Sequence, residues 1–520
     1  MRSLLTLIRL NSIQNINKLP RNPHTPPFMG GVYHRYLYIK NSIMVTVKMK
    51  KIATMLLLGI ILIFTIAFII GYYPKAEYRW SGVEGITFND RNDYDVGLTI
   101  YDDKLYAVWT EANISVYNIV AKCYDGEWSN VIGVTGNSTG FNGFPQLAVY
   151  NNNLYVVWVS GDPSITGSNN WDVVVKDYGK ENITPLDFPT TLGFPYRVAE
   201  LCPSLTVYNN SLYAVWSVTG PMGGGKASNI VVQDFNCSEW GNIHELIPMP
   251  VAYAGFPCLT VYENNLYIFY SFSYEGKEAD IRMSIYDGEW REENKMLLVN
   301  YESDSGFDMF PRATVYHNKL YVAWMTNDTG ISNGDDYDIV IRCFDGKNWG
   351  DITEVTYKSD EGYDGFPCLT VFDNKLFVAW TTNDTGISHG NDFDVVLRYY
   401  DGSKWSSIQE ITFSDDIGDD RCPQMIVYKN KLHVFWESNS STIDGDDYDI
   451  VYRILSKIIV PSFSFFKTPL FLVKTSLFLA NTVSLKIFET PQQPFWRDIT
   501  SLKGVRCFCL HRIPPFHHHI

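Results

Sequence analysis

Apolar and polar positions follow one repeating pattern through residues 78–455. Its clearest copy runs Phe366-Pro367-Cys368-Leu369-Thr370-Val371-Phe372, then Asp373-Asn374, then Lys375-Leu376-Phe377-Val378-Ala379-Trp380. An Asp-rich loop, the apolar run Val395-Val396-Leu397, Arg398, Asp401-Gly402 and Trp405 complete it. The residues closing the "Leu-aromatic-x-x-Trp" run are Trp109, Trp158, Trp216, Tyr270, Trp324, Trp380 and Trp436, spaced 49 to 58 residues apart. Runs this short, rich in Val and aromatic residues, are strands. In the copy ending at Trp405 they predict four: Phe366–Phe372, Lys375–Thr381, Phe393–Tyr400 and Lys404–Phe413. Asp373-Asn374 and its relatives Asn151-Asn152, Asn209-Asn210 and Lys429-Asn430 supply the positive φ that a two-residue hairpin turn requires. Asp401-Gly402, Asp345-Gly346, Asp287-Gly288 and Asp125-Gly126 mark the turn from third to fourth strand.

Four antiparallel strands repeated at this period make a propeller blade. The seventh copy stops after Asp449-Ile450-Val451-Tyr452-Arg453, without its Asp-Gly turn or fourth strand. The missing piece lies at the opposite end, where Arg79-Trp80-Ser81-Gly82-Val83-Glu84-Gly85-Ile86-Thr87-Phe88 parallels Lys404–Phe413. The fold class that follows is all-β: a seven-bladed β-propeller of four-stranded antiparallel blades over 78–455, closed by an N-terminal strand, which removes an open sheet edge. An open solenoid would leave a half-blade at each end without purpose.

The run Asp394-Val395-Val396-Leu397-Arg398, then Asp401-Gly402 and Trp405, resembles a degenerate Asp-box (BNR-type) repeat of the sialidase-like propellers. The resemblance covers most of 78–455. It departs from the family pattern where the first hydroxyl is lost, and near Gly179-Lys180, where the Trp is missing. It implies the fold and, as an alternative function, a sialidase-like glycoside hydrolase. Such an enzyme needs several arginines facing the axis for a substrate carboxylate, a Tyr/Glu pair and an acidic Asp. Arg342, Arg398 and Arg453 recur at one third-strand position away from the axis, where Glu354 and Glu410 read as salt-bridge partners. Only Arg312 and Arg421 fall nearer the axis. The chain therefore reads as a binding module rather than an enzyme, with no catalytic residue assigned.

Charge sharpens the picture. The net charge of −15 hides basic ends: residues 1–51 hold nine Lys/Arg and no Asp/Glu, and 456–520 hold eight Lys/Arg against Glu489 and Asp498. Subtracting their +9 and +6 leaves −30 on residues 52–455, which excludes nucleic acid as a partner. Carboxylates concentrate in the loops from second to third strand of the last three blades: Asp335, Asp336 and Asp338; Asp392 and Asp394; Asp444, Asp446, Asp447 and Asp449. Loops between blades add Asp304, Asp308, Asp360, Glu361, Asp364, Asp415, Asp416, Asp419 and Asp420. Hard cations take such oxygens, so a Ca²⁺ site is the metal reading; Asp, Asn and Gly as plain turn formers is the other. The acidic loop face is expected to bind a cell-surface protein or glycan.

Ile52–Tyr73 is an uncharged, apolar run following Lys48, Lys50 and Lys51, long enough for one transmembrane helix with the propeller outside the cytoplasm. A retained signal anchor and a cleaved signal peptide both fit; the lack of a convincing small-x-small site after the apolar core favours the anchor. Met49-Lys50-Lys51 reads as a natural beginning for it, with residues 1–51 a basic extension and 456–520 an irregular tail. Sequons at Asn113, Asn137, Asn182, Asn209, Asn236, Asn327, Asn383 and Asn439 suit glycosylation outside the cell, although the last three repeat one loop and fit turn geometry equally. The nine cysteines show no metal-ligand spacing and read as free thiols. His389 and His433 lack companions at ligand spacing.

Overall fold

The computed structural model describes residues 51–62 in part, and 72–463 except 137, 168–169, 187–198, 220–227, 248–251, 275–277, 302–305, 332–335, 358–361, 389–391, 413–417 and 441–446. Two compact units partition the chain: Ala76–Ile458, and Met1–Lys75 with Ile459–Ile520.

The first unit is a seven-bladed propeller. Its innermost strands are Asn92–Tyr101, Asn142–Tyr150, Ala199–Tyr208, Ala252–Tyr262, Asp308–Tyr316, Asp364–Phe372 and Asp420–Tyr428. They touch one another in cyclic order, the last against the first. In the sixth blade Asp364–Phe372 pairs with Lys375–Thr382, that with Asp394–Tyr400, and that with Gln409–Glu410, all antiparallel. Both central residues of each inner hairpin have positive φ, as at Asn151 (47°) and Asn152 (58°), the geometry Asn tolerates best among residues with a side chain.

Closure is where the repeat placed it. Glu84 pairs with Tyr452 and Gly85 with Val451, the register in which Glu354 pairs with Val340 and Thr353 with Ile341. Ile86 donates its N–H to the Ile450 carbonyl at 2.8 Å, as Val355 does to Ile339. The expected ten-residue fourth strand is shorter. In the sixth blade only Gln409–Glu410 lies in the ladder, because Trp405 touches Tyr400 through an isolated bridge and stacks beneath Arg398, 5.2 Å from its ring centroid. The seventh blade differs again. Its third strand, Asp449–Phe463, continues eight residues into the segment read as an irregular tail, and Tyr72–Trp80 lies beside it.

Between blades sit the marker tryptophans, all 0–1% exposed. Five of the six donate Nε1–H to an acid or amide sixteen residues earlier: Trp109 to Asp93, Trp158 to Asn142, Trp324 to Asp308, Trp380 to Asp364 and Trp436 to Asp420, at 2.6–2.9 Å. An acceptor for the indole N–H offsets the cost of removing it from water. Arg398 and Arg453 also bind blades together. Each guanidinium donates to a carbonyl of the preceding blade, Arg398 to Val355 at 2.6 Å and Arg453 to Ile411 at 2.7 Å. Arg342 binds Val299 in the same way.

In the second unit the described helical positions fall between Lys51 and Leu62. Among the described residues no helix is long and apolar enough to cross a membrane. That corrects the transmembrane helix expected over Ile52–Tyr73, together with the single-pass location and the membrane as partner. Tyr72 and Tyr73, counted in the apolar helix, are in a strand; residues 63–71 lie outside the described residues.

Candidate functional site: the axial cavity and the seam of blades seven and one

Each innermost strand carries one β-bulge, seen as a register shift such as Gly365/Cys368 in blade six. The bulge residues are Asp95, Phe144, Cys202, Phe256, Phe310, Phe366 and Cys422, with φ between 51° and 58°. In six blades a proline follows, at 145, 203, 257, 311, 367 and 423; a strand accommodates it where the ladder is already interrupted. The bulges bend all seven strands at one level and turn these residues onto a shared axial cavity of about 390 Å³. Phenyl rings dominate this level, Phe256 and Phe310 lying 4.0 Å apart and Phe310 and Phe366 4.8 Å. Two residues further along come Gln146, Ser204, Cys258, Arg312, Cys368 and Gln424. Blade one has Gly97 there, since a Cβ would stand 2.8 Å from the Pro145 carbonyl.

The repeat breaks at one seam. Blade one places Asp95-Val96 where the others place Phe-Pro or Cys-Pro. Blade seven places Glu437 after its tryptophan, where the others have Thr110, Val159, Ser217, Ser271, Met325 and Thr381. The two departures meet: the Asp95 N–H donates to Glu437 Oε1 at 2.7 Å. Blade six shows the unbroken version, with the Cys422 N–H donating to Thr381 Oγ1 at 3.0 Å. Glu437 is 6% exposed. Burial, then the Asp95 charge, pushes its carboxyl up to about 8; burial likewise raises Asp95, to about 6. Asp95 lines the cavity and Glu437 stands behind it.

Beside the pair, Arg421 makes an ion pair with Asp419 and stacks over Phe393 at 4.6 Å. Tyr448 donates its hydroxyl to Asp419 Oδ2 at 3.2 Å, and the Tyr94 and Tyr448 rings lie 5.5 Å apart. Of the two arginines read as near the axis, Arg312 lines the cavity and Arg421 flanks the seam.

The residues expected to hold calcium are distributed along three blades. Asp335, Asp444 and Asp446 lie outside the described residues. Asp338, Asp394 and Asp449 are 2–3% exposed, and each accepts a threonine hydroxyl at 2.7 Å, from Thr356, Thr412 and Thr87. Asp336 accepts the Gly362 N–H at 3.2 Å and Asp392 the Gly418 N–H at 2.8 Å, each reaching the next blade. Asp447 is half-buried beside Tyr448. Among the described residues no three His, Cys, Asp or Glu side chains group as metal ligands. Of the acids expected on the inter-blade loops, Asp308, Asp364 and Asp420 are the buried tryptophan partners and Asp419 pairs with Arg421, while Asp304, Asp360, Glu361, Asp415 and Asp416 lie outside the described residues. Among the described residues, six of the expected carboxylates, Asp308, Asp338, Asp364, Asp394, Asp420 and Asp449, are thus used inside the blades. In the three repeated sequons, Asn327, Asn383 and Asn439 accept backbone N–H groups from Phe307, Tyr363 and Asp419, twenty residues earlier, through Oδ1. The described cysteines are free, with Cys237 exposed and Cys258 and Cys368 buried. His433 is packed among aromatic rings, and His389 lies outside the described residues.

No protein-family model matches this sequence, and no curated protein sequence matches it. Solved structures do. One is the polysaccharide lyase Uly1, at 9% identity and a TM-score of 0.43 over 72% of this chain and 91% of that one. A Penicillium chrysogenum α-L-arabinanase complexed with arabinobiose has 12% identity and a TM-score of 0.40, over 73% and 98%. A Trypanosoma rangeli sialidase in complex with sialic acid has 12% and 0.38, over 81% and 64%, so this chain spans less than two thirds of it. The likeness concerns the β-propeller fold and nothing further. Of the carboxylates expected to make an acidic binding face, Asp338, Asp394 and Asp449 are buried inside the blades, and Asp336 and Asp392 bond to backbone N–H groups of the next blade. The expectation of a non-catalytic binding module is therefore withdrawn.

Proposed function

We propose that the chain hydrolyses glycosidic bonds, with the Asp95–Glu437 pair as its acid–base centre. The observation that carries this reading is that the two departures from the repeat at the seam are both carboxylic residues, with the Asp95 backbone N–H donating to Glu437 Oε1 at 2.7 Å beside an axial cavity. Glycoside cleavage requires a proton on the leaving oxygen and one removed from the attacking water. Asp95 faces the cavity and does both in turn. It gives its proton to the leaving oxygen as the C–O bond breaks, then takes one from the water that completes hydrolysis. Glu437 touches no substrate; it is a positioning residue that fixes the Asp95 backbone and keeps a proton on the pair near neutrality. Tyr94, Tyr448 and Arg421 offer ring faces and hydrogen-bond donors at the same seam, the surroundings a sugar favours.

A panel of fluorogenic glycosides, including sialosides and arabinosides, tests this. Turnover on at least one, reduced about 100-fold or more in Asp95→Asn and unaltered in Arg291→Gln on the outer edge, is the expected result. A folded protein inactive on the whole panel, or an Asp95→Asn variant as active as the wild type, would refute it. Glu437→Gln is expected to move the alkaline limb of the pH–rate profile to lower pH, whereas a purely structural role would leave that profile in place.

A further inference from the structure

We propose, resting on the hydrolytic reading of the seam, that the saccharide taken there is uncharged and that glycosides bearing a carboxylate are rejected.

The layer of residues just before the bulges points this way. From blade one to blade seven it reads Tyr94, Gly143, Leu201, Gly255, Met309, Gly365 and Arg421. Hydrogen-bonding side chains thus occur in it at blades one and seven alone, on either side of the Asp95–Glu437 contact. In blade two glycine is required, because a Cβ would stand 2.7 Å from the Phe141 ring that lies across it. Tyr253 covers Gly255 in the same way, with its hydroxyl 3.0 Å from where a Cβ would be, and is 43% exposed. Away from the seam the layer therefore offers apolar side chains and aromatic rings, which pack against the C–H faces of a sugar.

Arg421 is the cation of this layer, and it is already engaged. It pairs with Asp419, and its guanidinium lies 4.6 Å from the Phe393 ring centroid and 6.0 Å from that of Tyr448. Asp419 is held in turn by the Tyr448 hydroxyl at 3.2 Å and the Phe393 N–H at 3.3 Å. A substrate carboxylate would have to displace Asp419 and leave that acid without its counter-charge. Arg91, in the loop before the same strand as Tyr94, is paired with Glu111. Arg312 lies on the far side of the bulge layer, two residues beyond Phe310, in a cavity it shares with Asp95.

What the seam does offer is neutral. The Tyr94 hydroxyl makes no hydrogen bond among the described residues, and burial, then the Glu437 charge, raises its pKa and keeps it a neutral donor. A sugar hydroxyl can meet it without bringing a charge into the site. Asp95 and Glu437 form no ion pair among the described residues, so a second carboxylate beside them meets like charge and loses water. A hydroxymethyl group in the same place meets neither penalty.

Matched fluorogenic substrates isolate this difference: glucosides against glucuronides and galactosides against galacturonides, in both anomers, each pair differing in CH₂OH against carboxylate. Wherever a pair is turned over, kcat/KM should favour the uncharged member by about tenfold or more. Asp419→Asn, which frees Arg421, should narrow that ratio by about tenfold. A charged member cleaved as well as its neutral partner, a sialoside preferred over every uncharged glycoside, or an unaltered ratio in Asp419→Asn would overturn the proposal. If no glycoside is cleaved, the hydrolytic reading fails and binding by the wild-type chain decides the substrate class separately. Native gels containing arabinan, galactan or polygalacturonate then give the answer. Retardation by arabinan or galactan and not by polygalacturonate would uphold an uncharged ligand; any other pattern would sink it.

Discussion

Tyr428 donates its hydroxyl to the Asp103 carbonyl at 2.8 Å, joining residues 325 positions apart. It is the closing member of a circle. Tyr101, Tyr150, Tyr208, Tyr262 and Tyr316 each end an inner strand and donate to a turn carbonyl of the next blade, at Asn152, Asn210, Asn264, Asn318 and Asn374. Blade six interrupts the circle with Phe372, whose position would address Asn430. The same corner is held otherwise, by Tyr78, which donates to Asp373 Oδ2 at 2.5 Å and accepts from Lys375 at 2.7 Å.

Two substitutions follow from the circle. Tyr428→Phe leaves the ring packing and removes one hydrogen bond, so it should lower stability by about 1 kcal/mol. Phe372→Tyr supplies the absent hydroxyl at a position only 2% exposed and should raise stability by up to ~1 kcal/mol if the turn carbonyl accepts it. Urea midpoints of the two variants, moving in opposite directions, check both. A destabilised Phe372→Tyr would mean that the hydroxyl is buried without its acceptor.

Closure by the N-terminal segment carries its own expectation. Thr87 donates its hydroxyl to Asp449 at 2.7 Å, and the Ile450 N–H donates to Thr87 Oγ1 at 2.9 Å. Thr87→Val keeps the shape and removes both bonds, leaving a carboxylate that is 2% exposed with one partner fewer. A loss of about 1–3 kcal/mol is expected, comparable to the equivalent Thr412→Val within blade six. If the first variant were silent and the second were not, the segment from 84 to 88 would contribute nothing to the closed ring.

The fold was readable because a repeat states the same instruction several times. Hairpin asparagines, Asp-Gly turns and the marker tryptophans give blade number, register and the identity of the closing strand. The site was harder to read for the same reason. Asp95 and Glu437 carry no motif and sit 342 residues apart; their only signal is disagreement with the other copies, at a bulge that the Phe-Pro pair marks. Abundance misled in the opposite direction. Asp338, Asp394 and Asp449 look like loop ligands in sequence, yet threonine hydroxyls bind them inside the sheets. Composition records how many carboxylates a loop has, not which of them turn inward.

Stability should respond to pH through the same pair. Glu437 is raised from 4.5 to about 8 on folding, so between those values the folded chain holds a proton that the unfolded chain has released. Stability is then complete below about 4.5 and falls as pH rises through 8. Asp95, raised to about 6, acts in the same sense over a lower window. Glu437→Gln retains an acceptor for the Asp95 N–H but cannot ionise. Its stability relative to the wild type should therefore grow from pH 5 to 9, by an amount on the order of a few kcal/mol. Parallel wild-type and variant curves in denaturant melts across that range would contradict the buried, proton-holding pair.

His433 should act on the opposite side. It is 2% exposed, stacked against Phe435 and Tyr452 and edge-on to Tyr124 and Tyr428, and burial, then nearby Lys431, lowers it from 6.5 to about 4. Between pH 6.5 and 4 the unfolded chain binds a proton that the folded chain refuses, so stability is present above 6.5 and lost as pH falls through 4. His433→Phe puts a ring of similar breadth into the same aromatic surroundings with nothing to protonate. Near pH 7.5 the two proteins should melt within a few degrees of each other. By pH 4.5 the variant should be the more stable, and the gap should open between 6.5 and 4.5. A gap of constant size over that interval would show that packing, and not titration, distinguishes them.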